Sequence, residues 1–268
     1  TINPRLFEEQ IIYIANHAED RVLFFDLTFV KLVEKLAPSL STIEHFVLLT
    51  DRAHMPESSL NLLCYEDLIA AESPDAPWTE LPETAPAGLC YTSGTTGNPK
   101  GVQYSHRSNV LHAMAACATD VFAMGARTVV LPIAPMYHAN AWSIPYTAAC
   151  AGAKLVMNGP NFDPPTLHKL IVDEGVDLAL AVPTIWLGMM QYLEKTGETL
   201  GKLNRTAIGG SAVPRAMIEA YDKLGVRVLQ LWGMTEMSPL GTVGTGIPET
   251  DAMAYEQQLD VRIKQGRG

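Results

Sequence analysis

Short β-branched or apolar runs alternate with amphipathic stretches along most of this chain, and that alternation restricts its fold more than any other feature. Residues 22–25, 46–49, 89–91, 128–131, 154–157, 178–182 and 226–231 read as strands. Residues 29–36, 105–122, 142–151, 163–174, 184–195 and 214–224 read as helices between them. A first helix is expected to begin at Asn3-Pro4, with Leu6, Ile11, Ile12 and Ala15 on its buried face. Repeated β-α units of this length predict an α/β fold of mostly parallel, layered sheets with helices on both faces. Pro74, Pro77, Pro82 and Pro86 mark residues 71–86 as a surface linker dividing two such layers.

Composition supports a globular chain. Of 268 residues, 47% are apolar and 18% charged, too apolar for disorder. No run approaches the ~20 apolar residues of a membrane span. The net charge of −10 disfavours nucleic acid or an anionic membrane as partner. Its distribution is more informative: eight acids fall in residues 51–86, and none between Thr84 and Thr119, where Lys100 and Arg107 lie. An anion is tolerated in the second stretch. Cys64, Cys90, Cys117 and Cys150 are far apart in sequence and form no C-x-x-C pair, which predicts buried thiols in a reducing, cytoplasmic setting. The chain opens on Thr1 and stops at Gly268, which suggests a fragment.

The segment Tyr91-Thr92-Ser93-Gly94-Thr95-Thr96-Gly97-Asn98-Pro99-Lys100-Gly101 follows a predicted strand. Its hydroxyls and glycines allow close backbone approach to phosphate oxygens, and Lys100 adds charge. Composition alone leaves a flexible surface turn equally open. The string T-S-G-T-T-G-x-P-K-G resembles the phosphate loop of adenylate-forming enzymes, which include acyl-CoA synthetases, peptide-synthetase adenylation domains and luciferases. Gly209-Gly210-Ser211-Ala212-Val213-Pro214 and Gln230-Leu231-Trp232-Gly233-Met234-Thr235-Glu236 match that family's next two motifs, in order.

The resemblance implies specific roles. Thr92 to Gly97 would hold the triphosphate with Lys100. Gly210, Ser211 and Ala212 would lie along the adenine, and Gln230 to Met234 would follow the nucleotide, with Trp232 stacked on the base. Thr235 would meet the α-phosphate, and Glu236 would ligate Mg²⁺ with the Thr92 hydroxyl. Taken singly, a tryptophan like Trp232 is more often a core aromatic and an acid like Glu236 a solvated surface residue. Residues 135–142 resemble the segment beside the carboxylate pocket, placing His138 and Ala139 at the reacting acid and Trp142 as an aromatic gate. A half-buried loop histidine and a helix-start core tryptophan are the plain alternatives.

One charge argument is independent of the family. Between Asp120 and Asp163 there is no acid to pair with a substrate ammonium, which favours an acid with an apolar or neutral far end. Residues 183–190 could line its tunnel or be ordinary core. The resemblance implies ATP, Mg²⁺, CoA and a medium- or long-chain carboxylic acid, and leaves a homodimer open. Aryl-acid or luciferase-like adenylation, or a nucleotide- or acyl-binding module without turnover, are the rival readings. The family's acidic ribose-binding motif and its small C-terminal domain with a catalytic lysine are not in this sequence, so the chain alone is expected not to turn over.

If Lys100 holds phosphate oxygens, Lys100→Ala weakens ATP binding about ten- to a hundred-fold, the loss of one charge-assisted contact. Calorimetric titration of the folded variant with Mg²⁺·ATP checks this, and unchanged affinity would remove Lys100 from the phosphate site.

Overall fold

The computed structural model describes residues 1–92 and 97–266. They divide into two compact units, one of residues 2–85 and 91–101, the other of Thr1, 86–90 and 102 onward.

The first unit contains α1 (Glu8–His17), β1 (Val22–Phe25), α2 (Val30–Leu36), β2 (His45–Leu48), β3 (Leu62–Cys64) and α3 (Tyr65–Ala70). Its strands form a parallel sheet in the order β1-β2-β3. Ile11, Ala15, Leu36 and Leu40 build one small core, and Phe25, Val33 and Leu48 another. The helix predicted from Asn3-Pro4 instead starts at Glu8. The Asn3 side chain accepts the Arg5 N–H at 2.9 Å, so Asn3 closes a turn and does not cap a helix. Residues 71–85 contain no helix or strand and are almost all exposed.

Next come β4 (Pro86–Tyr91) and β5 (Gly101–Ser105), a two-stranded sheet. The second unit continues with α4 (His106–Cys117), β6 (Val129–Pro132), α5 (Ala139–Trp142), α6 (Ile144–Ala151), β7 (Lys154–Leu155), α7 (Pro164–Glu174) and β8 (Leu178–Ala181). It ends with α8 (Pro183–Thr196), β9 (Arg205–Ile208), α9 (Arg215–Lys223), β10 (Arg227–Gly233), β11 (Leu240–Val243), α10 (Pro248–Asp251) and α11 (Tyr255–Arg262). The sheet order is β11-β10-β9-β8-β6-β7, with only β11 antiparallel to its neighbour.

Alternation along each central strand feeds two separate cores. Leu131, Ala179, Ala181, Ile208 and Val228 face one side, with α7, α8 and α9 supplying Leu167, Trp186 and Tyr221. Val130, Leu178, Leu180, Ala207 and Leu229 face the other, with Ala116 of α4 and Ile144 and Ala148 of α6. Burial on both faces is why these strands read as continuous apolar runs. The Tyr221 hydroxyl donates to the Trp186 carbonyl at 2.8 Å, so the large phenol enters the core with its polar end satisfied. At the amino ends of the strands, Asp177 accepts the Val129 N–H at 2.7 Å and pairs with Arg205 at 3.0 Å, fastening β6, β8 and β9 together.

Two helix expectations change. α4 stops at Cys117, because Ala118 turns to an extended ψ of 150°. The stretch expected to be helical from Trp142 is broken: Ala139 to Ser143 all have φ between +42° and +58°, a left-handed turn before α6. Short apolar spacing does not report handedness. Of the thiols expected to be buried, Cys64 and Cys90 are, Cys117 is half-buried and Cys150 is exposed. No helix among the described residues is long and apolar enough to cross a membrane.

His112 on α4 is 8% exposed, and neither ring nitrogen has a partner among the described residues. Burial lowers its pKa to about 4. The unfolded chain, titrating near 6.5, therefore binds more protons across that interval, and stability falls as pH drops from about 6.5 towards 4. Between pH 7 and pH 5 this loss is about 2 kcal/mol, and His112→Leu should remove it. Denaturant midpoints at the two pH values check this; an equal pH dependence in both proteins would contradict it.

Candidate active site

Position 233 governs the local geometry. A Cβ there would lie 2.2 Å from the Pro239 carbonyl oxygen, so only glycine lets the chain fold back this tightly. The Met234 N–H donates to that same oxygen at 2.9 Å. The β10–β11 register slips between Trp232 and Gly233, a bulge that re-aims the side chains beyond it. Trp232 is 45% exposed, and a Cβ on Gly241 would come within 2.8 Å of its ring. Gly241 is thus the flat floor under one side of the indole, leaving the rest open to a stacking partner.

A cavity of about 320 Å³ opens at the carboxyl ends of four neighbouring parallel strands. His138, Ala139 and Trp142 follow β6, Val182 follows β8, Gly210 follows β9, and Leu231, Gly233, Met234 and Thr235 come from the end of β10. Phe122, Pro239 and Leu240 complete the lining, which contains no carboxylate. Loops at carboxyl strand ends are the usual ligand position in open α/β sheets. Ser143, fully buried, donates through its hydroxyl to the Ser238 carbonyl at 3.4 Å, tying the left-handed turn to the β10–β11 connection. The His138 ring is open on one side, and desolvation on the other lowers its pKa, which favours the neutral imidazole at neutral pH.

The structure sorts the residues expected from sequence. His138, Ala139, Trp142, Gly210, Leu231, Gly233, Met234 and Thr235 meet at one cavity. Ser211, Ala212, Trp232 and Glu236 are exposed and do not line it. Gln230 is 1% exposed; its amide accepts from the Val213 N–H at 3.3 Å and donates to the Ile263 carbonyl at 3.1 Å, so its polar atoms are committed within the protein. In the other unit, the Thr92 N–H donates to the Lys100 carbonyl at 2.9 Å. Gly97 has a φ of +85°. Ser93, Gly94, Thr95 and Thr96 lie outside the described residues.

Sequence reasoning missed Tyr104. Its buried hydroxyl donates to the Thr235 carbonyl at 2.6 Å, holding the backbone of the motif from below. Burial, Cys90 and then Glu236 all push the phenol pKa upward, keeping it a donor. The only available signal was the alternation within β5.

The family model described as AMP-binding enzyme matches residues 1–261. The chain belongs to the AMP-binding enzyme family. Among curated relatives, it is 46% identical over 269 residues to the 3-methylmercaptopropionyl-CoA ligase of Ruegeria pomeroyi, covering all of this chain and 50% of that one. It is 45% identical to the medium-chain-fatty-acid–CoA ligase of Ectopseudomonas oleovorans, covering all of this chain and 49% of the relative. For the long-chain-fatty-acid–CoA ligase of Thermus thermophilus the identity is 44%, over 99% of this chain and 48% of the relative. The chain thus spans about half the length of these relatives. Among solved structures, the N-terminal domain of FACL13 from Mycobacterium tuberculosis superposes with a TM-score of 0.81 at 24% identity, covering 100% of this chain and 62% of that domain. This member of the AMP-binding enzyme family therefore has the α/β fold of that N-terminal domain.

Gly233→Ala should destabilise the protein by about 1–3 kcal/mol or more, as forced overpacking does, because the clash is with backbone. Urea unfolding checks this; a midpoint equal to that of the parent would show that the β10–β11 connection yields without cost.

Proposed function

We propose that this chain is the nucleotide- and acid-binding part of an ATP-dependent acyl-CoA synthetase that acts on medium- or long-chain fatty acids or similar apolar acids. The observation that carries the proposal is this cavity, with its nucleotide-motif strand end on one side, its His138–Trp142 wall on the other, and no carboxylate among its described lining residues. An amino-acid ammonium would find no counter-charge there, whereas an alkyl chain needs none. The names of the relatives at 44–46% identity agree in substrate class.

In the reaction, a carboxylate oxygen attacks the α-phosphorus of ATP, the bond to the bridging oxygen breaks, and pyrophosphate leaves. The CoA thiol then attacks the acyl carbon and AMP departs. The chain contributes position and electrostatics. The exposed Trp232 ring would suit adenine, and Thr235, whose carbonyl is held by Tyr104, would meet the α-phosphate. Neutral His138 can donate a hydrogen bond to the reacting carboxylate without becoming a competing cation. By resemblance to the family's phosphate loop, Lys100 would add positive charge to the triphosphate. Exposed Glu236 offers a hard oxygen suited to Mg²⁺, and the ion would neutralise phosphoryl charge.

Trp142→Ala tests the acid pocket. Each buried CH₂ contributes ~0.8 kcal/mol, about fourfold, so preference should change in graded steps along a fatty-acid series. Acyl-AMP formation by full-length protein, measured as kcat/KM for acids of increasing length, is the readout. A uniform fall across the series would assign Trp142 a packing role. Adenylation of amino or aryl acids in preference to alkyl acids would overturn the substrate class.

A further inference from the structure

We propose that Cys117 and Cys150 form a vicinal thiol pair that a hydroperoxide converts to a disulfide joining α4 to α6. Cys117 is the last residue of α4, and Cys150 is the last but one of α6. The two helices pack directly, with small residues, Ala116 at 0% and Ala148 at 2% exposure, in one shared core cluster. Small residues let helix axes approach closely. The Cys117 sulfur lies 3.7 Å from the Thr147 carbonyl oxygen, one turn before Cys150 on the same helix. Burial pushes the Cys117 thiol pKa up, and the adjoining Cys150 thiol pushes it further.

Their environments divide the roles. Cys150 is exposed and meets the oxidant first, while half-buried Cys117 is the resolving thiol. The Cys150 thiolate sulfur attacks one peroxide oxygen and the O–O bond breaks. The sulfur is oxidised to a sulfenic acid, and the other oxygen leaves, protonated, as water or an alcohol. The Cys117 sulfur then attacks the Cys150 sulfur. The S–O bond breaks, and the departing hydroxide takes the Cys117 proton as water. Two thiols and one hydroperoxide give one disulfide, one water and one water or alcohol. Cys64 and Cys90 are buried and remain outside this exchange.

The test treats full-length protein with hydrogen peroxide, followed by non-reducing proteolysis and mass spectrometry. The expected result is a linked peptide pair containing residues 117 and 150, lighter by two hydrogens and reversed by dithiothreitol. Cys150→Ser should abolish it, and Cys117→Ser should leave Cys150 as a sulfenic acid captured by dimedone. Should these variants not fold, a trivalent arsenical on the unmodified protein keeps the question open to measurement, because it bridges only adjoining thiols. It should protect both cysteines from alkylation together. Accumulation of sulfinic acid at Cys150 without the linked peptide, a linkage to Cys64 or Cys90, or no joint protection by the arsenical would each overturn the pair.

Discussion

The carbonyl oxygen of Pro239 leaves no room for a side chain at position 233, and the site hangs on that close approach. With glycine there, β10 can end in a bulge and return at once as β11. Just before the bulge, strand alternation turns Leu231 towards the cavity and Trp232 out across Gly241. The bulge itself delivers Thr235 to the point where Tyr104 takes its carbonyl. An apolar wall, an aromatic face and a hydroxyl thus end up side by side around one permitted backbone contact.

That contact is useful only because the sheet beneath it is rigid. Strands β6, β8, β9 and β10 are in register and parallel, with apolar layers on both faces. Asp177 fastens their amino ends through a backbone amide and Arg205. Closing one end of the strands with fixed polar bonds leaves the carboxyl end to diverge into loops. A buried parallel sheet separates the stabilising end from the chemical end in this way.

Much of this was legible in the residues. The strand at 22–25 was read to the residue, and the central strands at 128–131 and 178–182 to within one, because burial on both faces leaves continuous apolar runs. Residues of the two downstream motifs meet at one cavity because strand ends carry them there. What escaped reading was set by tertiary partners. Tyr104 looks like any strand aromatic until Thr235, distant in sequence, arrives to accept its hydrogen bond. Gln230 sits inside a nucleotide motif, yet its amide is taken by Val213 and Ile263. Asn3-Pro4 carries the right residue types for a helix start, but a local side-chain bond to Arg5 wins first.

The left-handed turn at Ala139–Ser143 has its own consequence. Each L-residue held in that region costs roughly 1–2 kcal/mol, and five in succession are kept there by the packing around buried Ala141, Ser143 and Ile144. Nothing in the unfolded chain favours this conformation, so its free energy must come entirely from the surroundings. The turn is therefore a stretch of the cavity wall whose shape is dictated by its neighbours and not by its own residues. A substitution that loosens that packing would thus reshape the pocket wall before it disturbed the strands of the sheet.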